Sequence, residues 1–212
     1  PVRPGPPVNL RDEGGQVQLL AVDRHRPALV EGQRELLDLV GLVSTPRFQT
    51  FSGSVFFIAG QDENFAEWAS AYIFFAEANA EWRPTEQVRV NLIYNHQQYF
   101  RKTDGSIVGV RRVPRLKLEY QLTRALFVRV VGQYDAYAQD ALRDDSRTGY
   151  PILLYDAATG LYTRSVSERR NGFRMDGLVS YRPTPGTVFF LGYGSLMAEP
   201  DAFRFGRLER VN

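Results

Sequence analysis

Cysteine is absent from this 212-residue chain. That excludes thiolate metal sites, disulfide frameworks and cysteine nucleophiles. Lysine is nearly absent as well, at Lys102 and Lys117 only, so the 26 cations are almost all arginine. They are interleaved with 24 carboxylates for a net charge of +2. A nucleic-acid binder clusters its basic residues on one element, and this chain does not. Histidine occurs only at His25 and His96. No stretch approaches the roughly 18 consecutive apolar residues of a transmembrane helix. Membrane-spanning strands carry no such run, and a mean hydropathy of −0.32 is compatible with them.

Aromatic residues, by contrast, are plentiful at 13%. Some of them recur in one local pattern: Trp82-Arg83-Pro84-Thr85, Tyr120-Gln121-Leu122-Thr123 and Tyr181-Arg182-Pro183-Thr184. Each follows a long alternating run and precedes another, opened by Val88-Arg89-Val90, Leu126-Phe127-Val128 or Thr187-Val188-Phe189. An aromatic closes a strand, a tight turn with threonine reverses it, and the next strand begins. The alternation predicts strands over about 47–59, 68–82, 87–101, 110–121, 125–138, 172–182 and 186–197. Several exceed the usual soluble strand of about 5–6 residues, and at about 3.3 Å per residue they are long enough to cross a bilayer at a tilt.

Side-chain parity sharpens the expectation. Positions in phase with the rim aromatics read Tyr72, Phe74, Ala76, Ala78, Ala80, Trp82 in one strand and Leu126, Val128, Val130, Gly132, Tyr134 in another. No charge occurs in that phase through these segments. The opposite phase carries Glu77, Glu81, Arg89, Arg115, Lys117, Glu119, Arg129, Asp135, Arg174 and Asp176. A lipid-facing arginine at the bilayer midplane costs roughly 2–4 kcal/mol, so a bilayer would enforce this segregation. The expected fold is an all-β, antiparallel up-and-down meander forming a transmembrane β-barrel or part of one. Tyr72, Trp82, Tyr120, Tyr134 and Tyr181 are its interface aromatics and the ten charged residues face its lumen. A soluble β-sandwich, with its charged face in water, is the alternative.

Residues 46–212 form the expected barrel region. Residues 1–45 form an irregular, Pro- and Gly-rich start, with a short strand at Gln16–Val22 and a helix-or-strand segment at Glu31–Val43. Short turns at one end contrast with 102–109 and the long 139–171 connection at the other, where Tyr155–Tyr162 reads as a small hairpin.

The stretch from Trp68 to Asn212 resembles a family of bacterial outer-membrane proteins, a domain of unknown function in which a carbohydrate-binding-like sandwich precedes a C-terminal barrel. The likeness rests on Trp82–Gln87, Arg115–Tyr120, Gly132-Gln133-Tyr134-Asp135, Gln139–Asp145, Tyr181–Phe190, Gly192-Tyr193-Gly194 and Glu199–Phe205. It implies a bacterial outer-membrane location, the barrel-assembly machinery as a partner and a carbohydrate as ligand. The sandwich is not recognisable, and the chain stops at Arg210-Val211-Asn212 rather than on a terminal aromatic strand. Both departures suggest a piece of a larger protein.

Chemistry is harder to place. Asn95 and His96 are adjacent and point to opposite faces of a strand, so they do not form a hydrolase pair, and no serine accompanies them. Asp140, Asp144 and Asp145 lack EF-hand spacing, and Arg143 and Arg147 compete for them. No cofactor or metal site is expected, and the chain reads as a non-enzyme. Arg101, Lys102, Arg111 and Arg112 form an outer-rim basic group, suited to lipopolysaccharide phosphates, an anionic glycan or plain solvation. The expected function is binding or uptake of an extracellular ligand. A membrane anchor whose lumen is closed by its own ion pairs, and a soluble all-β binding domain or enzyme, are the alternatives.

Overall fold

The computed structural model describes residues 8–12, 15–23, 37–46, 48–199 and 209–210, with side chains over 39–46 and 48–198. The Pro- and Gly-rich 1–7, the segment 24–36 with His25, and the 200–208 part of the family likeness lie outside the described residues.

Every regular element among the described residues is a strand. In chain order these are β1 (Val8–Asp12), β2 (Gly15–Asp23), β3 (Leu37–Ser44), β4 (Phe51–Asn64), β5 (Ala69–Trp82), β6 (Val88–Arg101) and β7 (Ile107–Gln121). They continue as β8 (Leu126–Gln139), β9 (Leu153–Asp156), β10 (Leu161–Arg164), β11 (Glu168–Thr184), β12 (Thr187–Glu199) and β13 (Glu209–Arg210). Eleven of them form one antiparallel sheet in the order β1–β8, β11, β12, β13, while β9 and β10 pair only with each other. The meander is therefore up-and-down throughout, and its regular body is the eight strands β3–β8, β11 and β12. The strand order is linear, with β1 and β13 at opposite edges.

Gln16–Val22 falls inside β2. Of the ambiguous Glu31–Val43 segment, the described part is strand: β3 pairs with both β2 and β4. The fourth strand extends to Asn64 rather than stopping near 59, and Trp68 is a turn residue with a left-handed φ of 52°.

The recurring threonines build the turns at one end of the sheet. Thr85 Oγ1 accepts the backbone N–H of Val88 at 3.1 Å, and Thr123 Oγ1 accepts that of Leu126 at 3.0 Å. A threonine hydroxyl that takes the first N–H of the next strand replaces a ladder bond the turn has removed. The third copy uses a two-residue turn instead, Thr184 pairing with Thr187 around Gly186, whose φ of 89° suits glycine.

Unusually, no layer covers the sheet among the described residues. Among the described residues the buried hydrophobic side chains are Ala71, Val108 and Leu142. The apolar face instead presents Phe51, Val55, Tyr72, Trp82, Leu92, Leu116 and Leu118 as exposed residues. A soluble sandwich would bury this face beneath a second sheet; among the described residues no second sheet packs on it. The close packing that does occur is within the face. Phe57 lies across Gly41, its register partner on β3, so closely that a Cβ there would sit 2.3 Å from the ring.

Candidate functional site

Antiparallel register puts directly paired residues on the same face of the sheet. One line of pairs runs Glu81–Asn91–Lys117–Val131–Asp176, another Arg89–Glu119–Arg129, and a third Ile93–Arg115–Gln133–Arg174. Glu77 pairs with Asn95 and Asp135 with Gly172. All ten charged residues expected on one face thus share it. Some pair: Arg89 lies 3.7 Å from Glu81 and 3.9 Å from Glu119, Lys117 lies 3.5 Å from Glu119, and Arg174 donates to Asp176 at 3.0 Å. Arg111 makes a two-pronged bond to Asp135, its Nε donating at 3.0 Å. Glu77, Arg115 and Arg129 make no ion pair within the described residues. The polar face is therefore partly self-neutralised and partly free.

The five aromatics occupy the other face. Trp82 pairs with Phe51, Tyr181 with Phe189, and Tyr120 with Val88 and Val128, so they edge the sheet at its short-turn end. Tyr72 and Tyr134 lie toward the opposite end, the latter beside Phe173 with its hydroxyl donating to Asn171 Oδ1 at 2.9 Å.

On the polar face, toward the end carrying the long loop, the strands β6, β7, β8 and β11 enclose a cavity of about 610 Å³. Its lining combines amides (Gln97, Gln133, Gln139), phenols (Tyr99, Tyr137) and guanidiniums (Arg111, Arg170, Arg174) around Asp135. Arg170 lies over the Tyr137 ring at 5.2 Å, and Gln97 donates to the Tyr99 hydroxyl at 3.3 Å. Strand alternation delivers these groups: Gln133, Asp135, Tyr137 and Gln139 are successive same-face residues of one strand. Flat rings, amides and bidentate donors in one concave wall suit a polyhydroxylated or anionic organic ligand.

A clamp ties the loops at this end. Arg101, 2% exposed, spends all its N–H groups. Nε donates to both Glu67 oxygens at 3.0 and 3.1 Å, and Nη2 to Glu67 Oε1 at 2.6 Å and the Ala141 carbonyl at 3.0 Å. Nη1 donates to Ser106 Oγ at 3.0 Å and Asp140 Oδ2 at 2.8 Å. Glu67 also accepts from the Arg143 backbone at 3.1 Å and Asn64 Nδ2 at 3.2 Å. The turns after β4 and β6 are thereby fastened to the start of the long loop. The hydrogen bond from Arg101 holds the Asp140 carboxyl below the usual carboxylate range. Asp104 is lowered chiefly by Ser106, with Arg143 adding to it. Asp144 is pushed down to about 2 by the hydroxyls of Ser146 and Thr148.

The structure divides the four outer-rim cations. Arg101 is consumed in the clamp, Arg111 faces the cavity, and Lys102 bonds Gln61 and lies 5.4 Å from the Tyr72 ring centre. Lys102 thereby lies on the apolar side, and Arg112 also projects from that side, opposite His96. His96 sits between the Tyr94 hydroxyl at 3.2 Å and Gln98 Oε1 at 3.0 Å, on the face opposite Asn95. The three loop aspartates disperse as well: Asp140 goes to Arg101, Asp145 to Thr103 and Arg143, and Asp144 to its own loop. No cluster of metal-ligating side chains occurs among the described residues. Glu67 was invisible as a functional residue in the sequence, since nothing local distinguishes it from any turn glutamate.

No family model matches the chain, and no curated protein and no solved structure matches it.

Proposed function

We propose that this chain is a bacterial outer-membrane β-barrel, or part of one, that binds or takes up an extracellular ligand on its polar face. The observation that carries the proposal is the uncovered apolar face: a broad single sheet, rimmed by aromatics and free of charge between the rims. From Tyr72 to Trp82 the band spans about ten residues, roughly 25 Å at about 3.3 Å per residue and a tilt near 40°, which matches the apolar height of an outer-membrane barrel. Lipid supplies the layer that a second sheet would supply in a sandwich. The edges of an open sheet do not persist in lipid, so the β1 edge and the β12–β13 edge are joined there, to each other or to neighbouring chain. Assembly by the barrel-assembly machinery and contact with lipopolysaccharide follow from that location.

Carbohydrate is the proposed ligand class. It is supported by the resemblance of segments such as Tyr181–Phe190 to proteins carrying a carbohydrate-binding-like sandwich, and by the amide, phenol and guanidinium lining of the cavity. A narrower reading, a membrane anchor with a closed lumen, is favoured by the Arg89–Glu81, Arg89–Glu119 and Lys117–Glu119 contacts.

Sedimentation with outer membranes and heat-dependent migration on a detergent gel test the barrel. A monodisperse protein in plain buffer would overturn it. Conductance in a planar bilayer then separates the open from the closed lumen. Glycan binding that weakens about tenfold in Tyr137→Ala supports the ligand class, and unchanged binding removes the cavity from consideration.

A further inference from the structure

Resting on the membrane reading, we infer that the apolar face carries a lipid-phosphate site just beyond its aromatic edge, built from Arg112 on β7 and Arg169 on β11. The register places it. Tyr94, Pro114, Tyr134, Phe173 and Met197 occupy one line across the outward face, through Tyr94–Pro114, Tyr134–Phe173 and Phe173–Met197. The next outward line, one side-chain step toward the loops, runs His96–Arg112–Ala136–Asn171. One step further it runs Gln98–Val110–Ala138–Arg169. On β6, β7, β8 and β11 charge thus begins directly past the aromatic line, and it begins with arginine.

Three features make this a site rather than a scatter of solvated cations. Arg112 and Arg169 are exposed on the outward face, and their guanidiniums make no hydrogen bond or ion pair within the described residues; Arg115 and Arg129, which also lack an ion pair there, lie on the polar face. The strand between them carries only Ala136 and Ala138 on this face, leaving an open saddle. Their Cα atoms lie two strands and two residues apart, about 12 Å, so two long side chains can converge on one group above the alanines. His96, held between Tyr94 and Gln98, and the buried Asn171, which accepts from Tyr134, flank the saddle. The register places one carboxylate residue, Glu199, opposite Asn171. Guanidinium is the side chain suited to bidentate phosphate recognition. A phosphate at the boundary between an apolar band and a polar end is a lipid headgroup.

The test uses the full chain in detergent and in vesicles. Wild-type protein is floated with phosphatidylcholine vesicles, and lipid retention is read by native mass spectrometry after adding phosphatidic acid or phosphatidylcholine. Phosphatidic acid is expected to be retained preferentially, and Arg112→Gln/Arg169→Gln to weaken that retention about tenfold. Arg115→Gln, on the opposite face and outside the cavity lining, should leave it unchanged, and the variants should keep the wild-type heat-dependent migration. Excess inorganic phosphate should not displace the lipid; displacement would mark a free-anion site and overturn the lipid assignment. Equal retention by the double variant, or no preference for phosphatidic acid, overturns the site while flotation leaves the barrel standing. Failure to float overturns both.

Discussion

At the scale of single residues the chain concentrates its risk in one guanidinium. Arg101 and Glu67 are sequestered from water, and removing Arg101 leaves Glu67 a buried carboxylate without its cation. Arg101→Ala is expected to destabilise the loop end by about 3–5 kcal/mol, read as lost protection of 140–167 in limited proteolysis while the strands stay ordered. Gly41 carries a different kind of constraint. Its missing side chain is the floor on which Phe57 rests, so Gly41→Val should displace the ring and cost roughly 1–3 kcal/mol in the denaturation midpoint. Neither role is legible locally. A glycine in an alternating run reads as a weak strand position, and an arginine after Tyr99-Phe100 reads as an ordinary rim cation. What distinguishes them is a partner 16 or 34 residues away, brought near by pairing.

Individual elements separate into those the sheet requires and those it carries. The β9–β10 hairpin pairs only with itself, and its strands are exposed on both faces, with the Tyr155 and Tyr162 rings tilted against each other at 5.1 Å. Replacing 153–164 with a short flexible linker should leave membrane partition and the β8–β11 register unchanged, measured by heat-dependent migration. The loop beside it is acid-sensitive. A carboxyl whose native pKa lies below its unfolded value, as at Asp140, Asp104 and Asp144, stabilises the fold at neutral pH. That contribution is lost as pH falls from about 4 toward the native values. Protection of 140–150 against hydrogen exchange, taken relative to the intrinsic rate at each pH, should therefore be high at pH 7 and fall below about pH 4, with Asp140→Asn poorly protected at both. The strands of β5–β8, β11 and β12, their parity and the small hairpin were legible from alternation and turn residues, because each is dictated within a few residues, whereas β1, β3 and the end of β4 were not. The clamp joining three connections was not, since its members come from separate turns.

For the whole molecule the decisive quantity is the free energy of the apolar face. Leu92→Arg, on that face, should lower stability in lipid by about 2–4 kcal/mol and reduce membrane recovery, whereas Gln133→Arg on the polar face should be tolerated. Equal effects of the two would remove the distinction between faces. What the sequence by itself determined is the set of strands and the division of their side chains between two faces, because a period of two residues is a property of the extended backbone alone. The open strand order, the cavity at the loop end and the division of the arginines between clamp, cavity and outward face were decided only by tertiary structure. Pairing register sets which distant carboxylate meets which cation, and a buried guanidinium persists only where several distant acceptors converge on it.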